Sequence, residues 1–291
     1  MKKENSAMVR GFLCIILAML IYGFTPVLAV LSYQGGSNGI NLAFFRSIIP
    51  LPILLLLSAR YPRPQRSQLK LGLLLGVFLY GFILSAYLSY SYISVGASTV
   101  IQFLYVPMVA LYERLVRKQK LSSLQRIGYV LCLVGTVFFI GQDAEHFNWL
   151  GILLALLSAV MYAAYVIALD REAQNPLPMY QLTLLIVLVG AAVSLIGGLL
   201  LGQITFRMTG SAWLYTAVIA LLMVLVGITL FQKGIRLVGE AQAAVLSLLQ
   251  LPMGVFFGII VLKEAFSLWT FAGCVLILLG LCLTAKQKGK D

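Results

Sequence analysis

The sequence predicts an all-α integral membrane protein of ten transmembrane helices, arranged as two five-helix repeats of opposite orientation. Three observations carry that expectation. Of 291 residues, 61% are hydrophobic and only 10% charged, which is more apolar surface than a soluble fold of this length can bury. Apolar runs long enough to cross a hydrocarbon core of about 30 Å recur from one end of the chain to the other. Basic residues gather in every second connection between those runs.

The runs span residues 10–32, 38–59, 70–92, 96–116, 122–141, 148–169, 177–202, 211–232, 239–262 and 267–285. None shows the two-residue alternation of a membrane barrel strand, and lipid requires each segment to satisfy its own backbone, so each reads as a helix. The first exceeds a signal-peptide core and is followed by no small-residue cleavage pattern, so it reads as retained. Cys14, Cys132, Cys274 and Cys282 fall inside runs without ligand spacing and read as small buried hydrophobes. The single histidine, His146, sits in a polar loop, so no metal site or other cofactor is expected.

The net charge of +12 raises the question of a nucleic-acid partner, and its placement answers it. With the amino terminus in the cytoplasm, the clusters around Arg10, Arg60 to Lys70, Arg114 to Arg126, Arg171, Lys233 to Arg236 and Lys286 to Lys290 are all cytoplasmic. Only Arg207 and Lys263 fall outside, and Arg46 lies within a run. This is the positive-inside distribution of a multi-pass protein of the cytoplasmic membrane, with both termini inside. The bilayer, and not nucleic acid, is the partner that the charge reports.

The chain also repeats itself. An offset of 145 places Pro107 on Pro252, Met108 on Met253, Lys118 on Lys263, Ser122 on Ser267, Gly128 on Gly273 and Gly135 on Gly280. An offset of 140 places Gly11 on Gly151, Leu13 on Leu153 and Tyr22 on Tyr162. The expected organisation is a cytoplasmic segment 1–9, a first half 10–141, an outer loop 142–147, a second half 148–285 and a cytoplasmic tail 286–291. Five spans per half invert the second copy. The turn after Pro107 therefore faces the cytoplasm and is basic, whereas its counterpart after Pro252 faces outward and is not. Inverted repeats are a common scaffold for alternating access.

The end of each half carries a more specific pattern: Pro, an apolar run, a KE-x-F-S-type turn and a Gly-rich last helix. The second copy, LPMGVFFGIIVLKEAFSLWTFAGCVLILLG, holds it best, while VPMVALYERLVRKQKLSSLQRIGYVLCLVG has Gln119 where the pattern is acidic. These segments resemble the EamA-type branch of the drug/metabolite transporter superfamily, and the resemblance covers essentially the whole chain. It implies a ten-helix exporter of small organic metabolites such as amino acids.

A solute pathway should be lined by polar and aromatic groups near mid-depth. Ala18, Tyr22 and Thr25 share one face of the first helix, and the repeat maps them onto Ser158, Tyr162 and Tyr165. Gln102 and Tyr105 map likewise onto Ser247 and Gln250, and Tyr80 and Tyr87 stand one heptad apart in the third helix. Either these groups line a substrate cavity, or they only hydrogen-bond between helices. Arg46 interrupts the second helix and needs a partner, a cavity or a path outward to water. The resembling family often has Arg near this point, which suits a structural role as readily as substrate contact. Pro107 and Pro252, as repeat mates within spans, are the expected hinges. Glu113 and Glu240 read as ion-pair partners of Arg114 or Lys233.

Three function classes compete for such a chain. A secondary transporter of a small-molecule substrate accounts for the inverted halves and the mid-depth polar faces. An enzyme would need reactive groups, and the sequence has no HExxH, GxSxG, P-loop or embedded carboxylate pair. A non-transporting structural or receptor-like membrane protein would not require duplicated halves.

Overall fold

A computed structural model describes residues 2–89, 92–93, 98, 101–116, 118, 122–137, 148–262 and 268–285. The expected 142–147 loop and 286–291 tail, together with Tyr90, Gln119, His146 and Lys263, lie outside the described residues. The helices are α1 (Lys2–Gln34), α2 (Gly39–Ile48), α3 (Leu51–Ser58), α4 (Arg66–Ser89), α5 (Tyr105–Leu115), α6 (Ser123–Val137), α7 (Trp149–Glu172) and α8 (Met179–Leu200). They continue with α9 (Gly210–Ile219), a π-helical segment Ala220–Ile228, α10 (Thr229–Val238), α11 (Glu240–Ser247), α12 (Gln250–Phe257), a second π segment Gly258–Leu262, and α13 (Leu268–Ala285). No strand occurs among the described residues.

Among the described residues, seven helical stretches are long and apolar enough to cross a bilayer: Ala7–Gln34, Gly39–Ser58, Arg66–Ala86, Trp149–Glu172, Met179–Leu200, Gly210–Val238 and Gln242–Val261. The other three runs correspond to shorter helices or extend beyond the described residues. Large apolar side chains such as Leu56, Trp149, Leu200 and Leu268 stand on the exterior, while Ser32, Asn41, Ser158, Thr183 and Gln232 are buried. That inversion of the soluble pattern is what a lipid solvent selects. The protein is a multi-pass membrane protein.

Glycines set the closest crossings. Gly11 and Gly234 bring α1 against α10, Gly227 admits the Tyr22 ring, and Gly35 abuts Ala212, so α1 runs antiparallel to the α9–α10 stretch. Gly81 meets Met161, and Gly151 meets Tyr92 and Ile93, giving α4 and α7 the same antiparallel relation. Ile40 at the start of α2 touches Gly198 near the end of α8, whereas Pro62 beyond α3 is bonded by Gln181 at the start of α8. Helices α6 and α13 cross antiparallel through Gly135 against the Gly273 carbonyl and Gly280 against the Gly128 carbonyl.

These contacts define two ends. Arg10, Arg60, Arg63, Arg66, Lys70, Arg114, Arg171, Lys233 and Arg236 collect at one, and Arg207 lies at the other. Gly239, with φ of 85°, makes the corner between α10 and α11 at the basic end; a side chain would strain that left-handed backbone.

The expected spans 38–59, 96–116 and 239–262 are not single helices. In the first, the break at Ile49 and Pro50 separates α2 from α3. In the other two, turns at 103–104 and 248–249 precede α5 and α12, so Pro107 and Pro252 each sit at the third position of a new helix and do not kink a continuous one. The backbone explains the shift. Proline cannot donate to the carbonyl four residues earlier. Phe103 O accepts instead from Val106 N (3.0 Å), and Leu248 O from Leu251 N (3.1 Å). Leu104 N to Ile101 O and Leu249 N to Leu246 O are 3.1 Å each, so the same tight i to i−3 bonding recurs at the 145 offset.

Candidate functional site

The interior polar and aromatic groups form connected clusters. Tyr105, in the first turn of α5, crosses to α11, where its hydroxyl bonds the Ser247 hydroxyl and the Ala244 carbonyl (3.3 Å). Ser247 Oγ also donates back to Ala244 O at 2.6 Å, so the Tyr105 and Ser247 hydroxyls converge on that one carbonyl. The Tyr105 ring meets the Tyr162 ring edge-on at 4.6 Å between centroids. Tyr162 in turn lies 4.6 Å from Phe82 and 5.8 Å, stacked, from Tyr165. Tyr165 lies beside Gln232, whose Oε1 accepts from Thr183 Oγ1 at 3.1 Å. This cluster joins α4, α5, α7, α8, α10 and α11.

A second cluster centres on Tyr80. Its ring packs over Gly190, where any Cβ would overlap it, and its hydroxyl meets Ser47 Oγ at 2.6 Å. Ser47 Oγ donates to Ala43 O at 2.9 Å, which leaves the phenol as the donor in the shared bond. Arg46, next to Ser47, is 3% exposed and holds its guanidinium 5.9 Å from the Tyr80 ring centre. It does not snorkel outward. It occupies the last turn of α2, just before the break, where the helix dipole and carbonyls released by that break favour a cation. Its charge also lies within electrostatic range of Tyr22.

Tyr22 packs edge-on to Phe231 (6.1 Å) and against Gly227 in the π segment. The wide π turn makes that room, and Thr229 closes it by bonding Leu225 O (2.5 Å) and Val226 O (3.0 Å). Gln102 is buried and donates to Ser98 Oγ at 3.0 Å. Gln250 is half-buried at the first position of α12. The side chain of Tyr87 lies outside the described residues. Thr25 turns away from the clusters, bonding Ile21 O at 2.9 Å. It lines an apolar groove of about 230 Å³ with Leu20, Phe24, Leu28, Leu222 and Phe257, a groove that holds none of the other expected site residues.

Sequence reasoning missed Ser47, Phe82, Thr183 and Gln232, although a Gln or Thr inside an apolar run is itself the signal. It also missed the charge pairing at the basic end. Glu172, 2% exposed, takes Arg236 Nε at 3.0 Å and Nη2 at 2.6 and 2.8 Å, plus Leu177 N at 2.6 Å. Arg171 reaches from the same turn to the Tyr112 hydroxyl at 2.7 Å. The described carboxylates, Glu113, Asp170, Glu172 and Glu240, all lie toward this end, and no group of three or more metal-ligating side chains occurs among the described residues. What the interior offers is recognition chemistry: phenol and hydroxyl donors, amides, aromatic faces and one guanidinium.

The model of the EamA-like transporter family matches the chain twice, over residues 9–141 and 149–286. The chain belongs to the EamA-like transporter family. Among curated proteins it is similar to the uncharacterized transporter YcbK of Bacillus subtilis (strain 168), 24% identical over 312 aligned residues that span 94% of this chain and 93% of that protein. A crystal structure of a protein 20% identical shares the fold, with a TM-score of 0.77 over 97% of this chain and 98% of that one. Seen as an EamA-like transporter, the chain has one family match for each half, and the clusters around Tyr105 and Tyr80 draw on both matched segments.

Proposed function

We propose that this EamA-like protein is a ten-span secondary transporter of the cytoplasmic membrane that exports a small organic metabolite, an amino acid or similar amphipathic solute, by alternating access. The observation that carries the reading is the double family match together with the antiparallel course of equivalent helices. Gly39 and Met179 begin α2 and α8 at the 140 offset, Gly128 and Gly273 belong to α6 and α13 at the 145 offset, and each pair runs in opposite directions. Packing follows the same exchange: α1 against α10 corresponds to α7 against α4. Halves 10–141 and 148–285 then form an inverted repeat joined by an outer 142–147 loop. The basic end is the cytoplasmic one, and segments 1–9 and 286–291 lie on that side.

In this reading Tyr22, Arg46, Tyr80, Tyr87, Gln102, Tyr105, Tyr162, Tyr165, Ser247 and Gln250 line or adjoin the solute path. Aromatic faces and amides suit a zwitterion's apolar and ammonium parts, and Arg46 suits its carboxylate. Pro107 and Pro252, just past matching breaks, act as hinges between inward- and outward-open forms. The deciding measurement is uptake and efflux of a labelled metabolite panel by proteoliposomes, with and without a pH gradient. Flux of at least one zwitterionic solute, abolished in Tyr105→Ala, is expected. Absence of protein-dependent flux across the panel argues for a non-transporting role.

A further inference from the structure

We infer that Asn41 and Gln181 are reciprocal clasps, each closing one end of the solute path. The inference rests on the transport reading above and assigns gating residues to it. Helices α2 and α8 begin at Gly39 and Met179, so Asn41 and Gln181 are each the third residue of equivalent helices at the 140 offset. Both are buried amides, and a buried amide in a membrane protein is retained only where it is bonded.

Each crosses to a connection in the opposite half. Asn41 Oδ1 accepts from Thr205 N at 3.0 Å, in the α8–α9 connection. Gln181 Nε2 donates to Pro62 O at 2.8 Å, in the α3–α4 connection. A second amide bond stands beside each. Asn38 Nδ2 donates to Gln203 O at 2.8 Å, and Gln68 Nε2 donates to Asn175 Oδ1 at 3.2 Å. Because α2 and α8 are antiparallel, the first pair of bonds lies at the end opposite the basic cluster and the second lies at the basic end.

Both clasps are closed in this structure. Alternating access opens one end at a time, so opening at either end must release the amide bond there and keep the one at the other end. Loss of one clasp therefore biases the protein toward opening at that end alone. Removing one partner of a buried bond should shift the closed-to-open ratio about tenfold.

Spin-label pairs report the two ends separately. With the four natural cysteines replaced, cysteines at the exposed positions Gln34 and Arg207 monitor one end, and cysteines at Arg63 and Gln174 monitor the basic end. In the full-length protein in nanodiscs, Asn41→Ala should add a longer-distance population to the first pair and leave the second unchanged. Gln181→Ala should do the reverse. The partly exposed Asn38→Ala and Gln68→Ala should give the same opposite responses in weaker form, which keeps the test open should a buried variant fail to fold. Responses at the same pair from both clasps, or no response from any well-folded variant, would overturn the inference. Opposite responses in a wild type that moves no solute would leave the clasps standing and count against the transport reading only.

Discussion

Replacing Arg236 by Met exposes the energetics of the basic end. Three of the four hydrogen bonds to the buried Glu172 carboxylate come from that guanidinium, and its Nη2 also bonds the Leu177 carbonyl at 2.8 Å. The variant leaves the carboxylate with Leu177 N alone. Breaking a buried pair from one side costs about 3–5 kcal/mol. The 13% exposure of Arg236 places this case near the lower bound, and the lost Leu177 contact adds about 1 kcal/mol. A total of about 4 kcal/mol corresponds to a fall in the melting midpoint on the order of 10 °C. Removing both charges with Glu172→Leu and Arg236→Met takes away the uncompensated carboxylate and should recover about 2 kcal/mol or more relative to Arg236→Met alone. The assay is the fraction remaining monodisperse in size-exclusion chromatography after heating in detergent over a temperature series. Wild-type resistance in Arg236→Met, or a double variant no better than it, would refute the reasoning.

Gly190→Ala should sharply lower folded yield, because the new methyl overlaps a Tyr80 ring anchored through Ser47, an overpacking cost of about 1–3 kcal/mol; adding Tyr80→Leu should restore yield, and normal yield in the single variant would contradict the packing. Tyr105→Phe and Ser247→Ala break one shared bond, so both together should slow transport no more than the worse of the two; additive losses would show that they act separately. Pro107→Ala and Pro252→Ala restore a donor for the Phe103 and Leu248 carbonyls and should slow turnover more than they weaken binding; normal rates in both well-expressed variants would remove the hinge role. A cysteine at Gln119 should react with impermeant reagent from the cytoplasmic side only, and labelling from outside intact cells would reverse the topology.

Run length and charge placement were legible in the sequence because both are one-dimensional consequences of a slab-shaped solvent. Distances between helices are not. The 145 offset paired Tyr105 with Gln250 and Gln102 with Ser247, yet the bond that forms joins Tyr105 to Ser247, a residue of one pair to a residue of the other. Heptad spacing put Tyr80 on a face with Tyr87, but Gly190 and Ser47, from two other helices, decide where its ring rests. Proline in an apolar run signalled a weak point without locating it. The turn falls three to four residues earlier, where Val106 and Leu251 take over the bonds that proline leaves unmade. Glu172 and Arg236 are 64 residues apart, and only the packing of α7 beside α10 makes them neighbours.

The crossing of α6 and α13 carries a consequence of its own. Gly128 lies against Gly280 and Gly135 against Gly273, with Cys132 facing Ile277, its own counterpart at the 145 offset. Contact of i with j′ and of j with i′ is the rule of an isologous interface between two identical subunits. A single five-helix polypeptide, made in both orientations and meeting itself at this glycine crossing, would form the same seam without any second gene. On the proposed inverted-repeat reading, the covalent link between the halves would hold the two copies at one to one and in opposite orientation, which a pool of separate chains would have to reach by chance.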